Sequence, residues 1–303
     1  MFDMRKLSRM KKFLIGIVAT VLAGCGSTSS ASAPTSTSVS PRHIGGVVRV
    51  AYAGSLVGAM VNDISPAFHA ATGITFEGLP GGSTALVNQI KSGTQSFDVF
   101  ISAAPSANEA LMGTANGSYL TWYAALGTSP LEIGYNPSSR FAAALKAGPW
   151  YKVMAEPGFA LGRTDPALDP KGVLVEKLLT EEASALGDPS LVEKVLGATE
   201  NPSQVFPEET LVARLQTGQL DAGFFYANEA DQAKIPTIAT GINLGADFTV
   251  SILSNAKDLP QAVAFVNFLY SAQGSSLLDH LGVKVGAPTI TGAVSKVPKG
   301  LHL

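Results

Sequence analysis

From Val47 onward, short apolar runs alternate with stretches of helical periodicity, and this alternation narrows the possible folds further than any other feature. "VVRVAYA" (Val47 to Ala53) reads as a strand, and Leu56 to Ala71 as a helix closing at Gly73. "ITFEGL" (Ile74 to Leu79) is a second strand, followed by a helix from Ser83 to about Lys91. "FDVFISA" (Phe97 to Ala103) is a third strand, with a short helix over Ser106 to Met112. Strand, helix and strand in this order give a parallel sheet with crossover helices, so the class is α/β. Further on, strands are expected at Pro130–Asn136, Phe159–Arg163, Asp221–Tyr226 and Asp247–Leu253. Helices are expected at Lys171–Leu186, Thr210–Thr217 and Leu259–Leu281, the last broken at Gly274. The stretches around Trp122–Pro130 and Lys234–Ile242 are the places where the chain crosses between two lobes. A ligand belongs in the cleft between such lobes. With 303 residues, 46% of them hydrophobic, the chain is long enough to give both lobes a core.

The first 46 residues do not join this pattern. Arg5, Lys6, Arg9, Lys11 and Lys12 form a basic region before the apolar run Phe13 to Ala23. Eleven residues are too few to span a bilayer as a mature helix but suit the core of a signal peptide. The run ends in "LAGC" (Leu22 to Cys25), which resembles the bacterial lipoprotein signal and implies cleavage before Cys25 with a lipid on its sulfur. Residues 1–24 are thus expected to be the signal peptide, and 25–46 a lipidated Ser/Thr/Pro-rich tether. A tethered domain works outside the cytoplasm, anchored to the outer face of the membrane or in the periplasm. Cys25 is the only cysteine, so no disulfide framework or thiolate metal site is available. A net charge of −2 gives no electrostatic case for nucleic acid.

Two strand ends have the same form. Gly54 and Ser55 follow the first strand, and Gly81, Gly82 and Ser83 follow the second. Glycine admits a close approach, a helix start offers unpaired N–H groups, and serine adds a hydroxyl, which together suit an oxyanion. Either serine alone also reads as an N-cap. Two such corners on consecutive strand–helix units lie at one edge of the sheet, which favours a shared ligand. "GRTDPALDPKG" (Gly162 to Gly172) is another strand-to-helix loop, carrying Arg163, Asp165, Asp169 and Lys171. Its aspartates also suit turn and capping roles. "PEET" (Pro207 to Thr210) opens a helix with Glu208 and Glu209, which the helix dipole alone would favour. Tyr226 ends an apolar strand and also reads as a core tyrosine.

No nucleophile elbow, zinc-protease motif, phosphate-binding loop or dinucleotide fingerprint occurs, and His43, His69, His280 and His302 lack metal-ligand spacing. A secreted enzyme would need a base near Ser55, and the sequence offers none, so binding rather than turnover is expected.

"VAYAGSL", "GGSTALVNQIKSG", "FDVFISA", "GRTDPALDPKG" and "LQTGQLDAGFFY", in that order, resemble the periplasmic molybdate/tungstate-binding proteins of ABC importers, particularly the tungstate-type branch. The likeness covers roughly Val47 to Leu281. It implies a type II solute-binding fold in which two α/β lobes, joined by two crossover strands, close on an oxyanion. Residues 47–126 and 238–303 would form lobe I, and 127–237 lobe II. It implies anion contacts at Ser55 and Ser83, with Gly54 and Gly82 beside them, and a helping Tyr226. The tungstate branch adds two carboxylates that bond to the Mo or W centre itself. Here they would be Asp165 or Asp169, and Glu208 or Glu209. Position before the helix favours Asp169, and counting back from Gly218 favours Glu208. A carboxylate repels a dianion unless it bonds to the metal, and sulfur and phosphorus cannot expand their shells in this way. Such a site rejects sulfate and phosphate; without metal bonding, the same fold would hold sulfate, phosphate or a small carboxylate instead. The cysteine usual after this Asp-Pro is Lys171 here, and a lysine could pair with the oxyanion. The resemblance further implies a monomer that needs no cofactor and delivers molybdate or tungstate to permease subunits.

Overall fold

The computed structural model describes residues 45–303. The expected signal peptide, Cys25 and most of the tether lie outside the described residues. Ten strands follow in chain order: β1 Val47–Ala53, β2 Thr75–Gly81, β3 Val99–Ser102, β4 Trp122–Tyr135, β5 Leu161–Gly162, β6 Ala222–Tyr226, β7 Thr237–Ala239, β8 Gly245–Ile252, β9 Lys284–Val285 and β10 Ile290–Gly292. β1 pairs in parallel with β2 and β3, as the strand–helix alternation requires. The sheet then turns antiparallel through β8 to β4, so it is mixed rather than wholly parallel.

β4 organises the rest. Its first residues, Ala124 to Pro130, pair with β8, and β9 and β10 lie along its other edge. Its last residues, Leu131 to Tyr135, pair instead with β6, which carries β5, and with β7. The expected strand at Pro130–Asn136 and the crossover stretch before it are therefore one continuous 14-residue strand running through both groups of strands. Within the first group, the pairing with β8 shifts register between Ala125 and Gly127. A side chain at Gly127 would meet the Lys284 carbonyl oxygen at 2.6 Å, so the close approach of β9 excludes anything larger than glycine.

Helices cover both faces of the first group. Ala51 packs with Leu86, Val87 and Ile90 of the Ser83–Ser92 helix. On the other face, Val50 and Tyr52 share a core with Phe68 and Phe265, whose rings meet edge-on at 5.1 Å. The region expected to form one helix after Gly54 is instead built in pieces, with a wide turn at Met60–Ile64 before the Ser65–Thr72 helix. Wide turns of this type recur at functional sites.

The last long helical region also corrects the sequence reading. It breaks at Ser271, not at Gly274, giving helices Leu259–Tyr270 and Ala272–His280. Ser271 takes an extended conformation and its hydroxyl accepts from the Gly274 N–H, an ordinary N-cap. Gly274 lies inside the second helix because the Phe268 carbonyl comes too close to leave room for a side chain.

Candidate functional site

The parallel pairing of β1 with β2 places Ala53 beside Gly81. Both glycine–serine corners thus leave the sheet at the same edge. Ser55 and Ser83 are buried, and neither side chain caps its own helix. The N-cap alternative therefore does not describe either residue. The Ser83 hydroxyl accepts from the Ala103 N–H at 3.0 Å, which ties the end of β3 to the same place. The Ser55 carbonyl accepts from the Asn228 side chain at 2.6 Å.

Opposite these corners stand three helix starts from the far side of β4: Pro170–Leu186, Glu208–Gln216 and Ala227–Ala233. Asp169 caps the first, its Oδ1 accepting from the Lys171 N–H at 2.8 Å and from the Thr164 hydroxyl at 3.2 Å. Its other oxygen faces Gly82: a methyl group there would lie 3.0 Å from Asp169 Oδ2 and 2.5 Å from the Leu168 carbonyl oxygen. Gly54 bears the same relation to Glu208, whose Cγ would lie 2.5 Å from such a methyl. Gly82 sits between a backbone conformation open to any residue on one side and a carboxylate on the other. It is glycine for lack of room, not for its torsion angles. The corners of the first sheet therefore meet acidic side chains of the opposite side: Gly54 the stem of Glu208, Gly82 the Asp169 carboxylate, and Gly81 the Glu209 carboxylate, whose Oε1 would lie 3.9 Å from a methyl there. The Ala85 N–H also donates to the Leu168 carbonyl across the gap at 3.0 Å.

The sequence left two carboxylates open in each of two segments, and the geometry separates them. Asp169 and Glu208 are buried, at 6% and 5% exposure. Asp165 is half-buried and closes its own turn by accepting from the Ala167 N–H, and Glu209 is exposed. Lys171 is fully enclosed and does not reach toward the serines. Its ammonium donates to Glu208 Oε1 and to Glu229 Oε2, both at 2.8 Å. Glu229 Oε2 also accepts from the Tyr226 N–H at 2.9 Å. Glu229 is a residue the sequence reading missed. An acidic residue in the first turn of a helix is common, and no local signal distinguishes this one.

Burial and the neighbouring Glu229 raise the Glu208 carboxyl well above its ordinary range, against the pull of Lys171. Burial raises Asp169 too, and the surrounding carboxylates hold the Lys171 ammonium firmly charged despite its own burial. Tyr226 is raised by burial and then by Asp169, Glu208 and Glu229. Among the buried atoms left without a hydrogen-bond partner, three fall here: Glu208 Oε2, the Tyr226 hydroxyl and Asn228 Oδ1. Buried polar atoms are rarely left so, and three in one region mark a place with bonding capacity to spare. A groove of about 380 Å³ lined by Ser55, Glu208 and Glu229 opens from the cluster between the Gly54–Asn62 segment and the Glu208–Gln216 helix.

The chain belongs to the family of bacterial extracellular solute-binding proteins, whose model matches residues 48–284. An uncharacterized solute-binding protein of Petrotoga mobilis is 26% identical over 254 residues, covering 73% of this chain and 78% of the relative. A putative ABC transporter molybdenum-binding protein of Haloferax volcanii is 28% identical over 200 residues, covering 65% of this chain and 61% of its own length. Among solved structures, the periplasmic molybdate-binding protein of Azotobacter vinelandii superposes with a TM-score of 0.59 at 18% identity, covering 79% of this chain and all of that one. The sulfate-binding protein SubI of Mycobacterium tuberculosis gives the same TM-score at 16% identity, covering 79% and 86%. The fold is the α/β fold of periplasmic binding proteins, and the family's role is solute binding. Among the described residues no helix is long and apolar enough to cross a membrane.

Proposed function

We propose that this chain is the extracytoplasmic, lipid-anchored solute-binding component of an ABC importer and that it captures molybdate or tungstate for a permease. In this reading, residues 47–126 with 238–303 form one side of the cleft and 127–237 the other. Ser55 and Ser83 donate to the oxo groups, with backbone N–H groups of their corners. Asp169 and Glu208 each bond to the metal of the anion, and the Tyr226 hydroxyl donates to an oxygen. Catalysis, a resident cofactor and self-association play no part.

One observation carries the reading: two buried acidic side chains, Asp169 and Glu208, press against the two glycine–serine corners, and Glu208 Oε2 has no partner. For an anion that only accepts hydrogen bonds, carboxylates at this position repel. For a metal centre able to take a fifth and sixth ligand they supply the bonds. The names borne by the Haloferax relative and the Azotobacter structure are consistent with it.

Calorimetry on the purified protein with tungstate, molybdate, sulfate and phosphate tests this. Molybdate or tungstate should bind at micromolar concentration or below, with sulfate and phosphate much weaker. Absence of binding by either metal oxyanion, or a preference for sulfate, rejects the reading.

A further inference from the structure

The enclosed lysine has no evident use in an anion site where it touches only carboxylates of its own side. We propose that Lys171, fixed by Glu229, is the positioning and specificity-determining residue of the site, occupying one oxygen of Glu208 so that the other alone is offered to the anion's metal centre. This rests on the molybdate/tungstate reading above.

The geometry supports it in three ways. First, Lys171, Glu208 and Glu229 come from three separate helices, and Lys171 joins all three starts through bonds of 2.8 Å. The Phe225 and Tyr226 rings lie 5.5 and 5.3 Å from its ammonium, so the charge is packed on its remaining sides. Second, the bond falls on Glu208 Oε1, and the unpartnered atom is Oε2. A carboxylate with one oxygen engaged in this way is biased toward a single bond through the other oxygen. Third, three buried carboxylates surround a single ammonium. Without that ammonium, an approaching dianion would meet uncompensated negative charge at short range in a poorly screened interior. With it, enough charge is offset for the anion to enter, while the unpartnered oxygen still repels any anion whose central atom cannot bond to it. Glu229 serves by holding both the ammonium and the Tyr226 N–H, which keeps the end of β6 in register with the cluster.

The test uses Lys171→Met in the full chain, with binding of tungstate and sulfate by calorimetry and the tungsten coordination number by X-ray absorption. Partners that orient a metal ligand are worth about 10- to 100-fold in affinity, and a loss of that size is expected for tungstate. The bound tungsten should move from six-coordinate toward four-coordinate, and the preference for tungstate over sulfate should narrow. Glu229→Gln retains an acceptor for the Tyr226 N–H and should shift all three in the same direction by less. It also carries the test should the methionine variant not fold. Unchanged coordination and unchanged preference in a folded variant make Lys171 a purely structural ion pair and overturn the proposal. Four-coordinate tungstate in the unmodified protein also overturns it but leaves metal-oxyanion binding standing, whereas no tungstate binding at all rejects both.

Discussion

The corners that end β1 and β2 meet the site with glycine, serine and backbone N–H groups, whereas the helix starts facing them bring three carboxylates and one ammonium. The first side is neutral, and its shape is local. Each serine follows a glycine at a strand end, and parallel pairing sets the two corners side by side. The second side is charged, and its shape is long-range. Asp169, Lys171, Glu208 and Glu229 meet only because three helices pack with their first turns together. In the proposed reading, the neutral side holds any small oxyanion while the charged side restricts which one, so selectivity would belong to the half whose geometry depends on tertiary packing.

Substitutions can break this division of labour. The largest effect is expected at Asp169→Ala and Glu208→Ala. Each should weaken tungstate binding on the order of a hundredfold, roughly 3 kcal/mol, while leaving sulfate binding unchanged or improved. Equal losses for both anions would show that the carboxylates merely shape the cleft. On the neutral side, Gly82→Ala drives a methyl group against the Leu168 carbonyl oxygen, and Gly54→Ala drives one against Glu208. Overpacking of this kind costs about 1–3 kcal/mol; at Gly82 it should fall on affinity for every oxyanion alike, because the Leu168 backbone cannot swing aside, whereas at Gly54 it displaces Glu208 and should weaken tungstate more than sulfate. Calorimetry with tungstate and sulfate on the same preparations separates the two patterns.

Two smaller effects sharpen the boundary. Beneath the neutral corners, burial pushes the Tyr52 phenol up to about 12. The folded state then keeps this proton when the unfolded chain has released it near pH 10. Stability from this group is complete below pH 10 and is lost as pH rises toward 12, about 1 kcal/mol by pH 11. Tyr52→Phe should remove that part of the alkaline loss in denaturant titrations at pH 8 and 11. The least effect is expected from Asp165→Asn and Glu209→Gln. Asp165 is half-buried in its own turn and Glu209 lines the groove beside Gly81, but neither is enclosed with Lys171, and about threefold in tungstate affinity is expected of charges screened by water. A large loss at either would transfer the ligand role away from Asp169 or Glu208.

The sequence made the neutral side legible because its causes are close in sequence: an apolar run, a glycine, a serine and a helical period. The parallel pairing around β1 could be read for the same reason. The charged side was only half legible. Both carboxylate-bearing segments stood out, but choosing Asp169 over Asp165, or Glu208 over Glu209, depends on which side chain the packing encloses. Glu229 left no trace, since an acidic first turn serves the helix dipole anyway. The helix break at Ser271 was misplaced onto Gly274 because glycine is the usual helix breaker. There the glycine answers a crowded carbonyl instead. The full length of β4 was missed because Gly127 and Pro130 interrupt its pattern.

That strand has a further consequence. Fourteen residues of extended chain, about 45 Å, join the group of strands around β8 to the group around β6. In the proposed reading, a frame carried on one covalent rod measures its guest by radius, and molybdate and tungstate have nearly the same radius. Whatever discrimination exists between those two must then come from the strength of the metal–carboxylate bond, a chemical rather than a dimensional test.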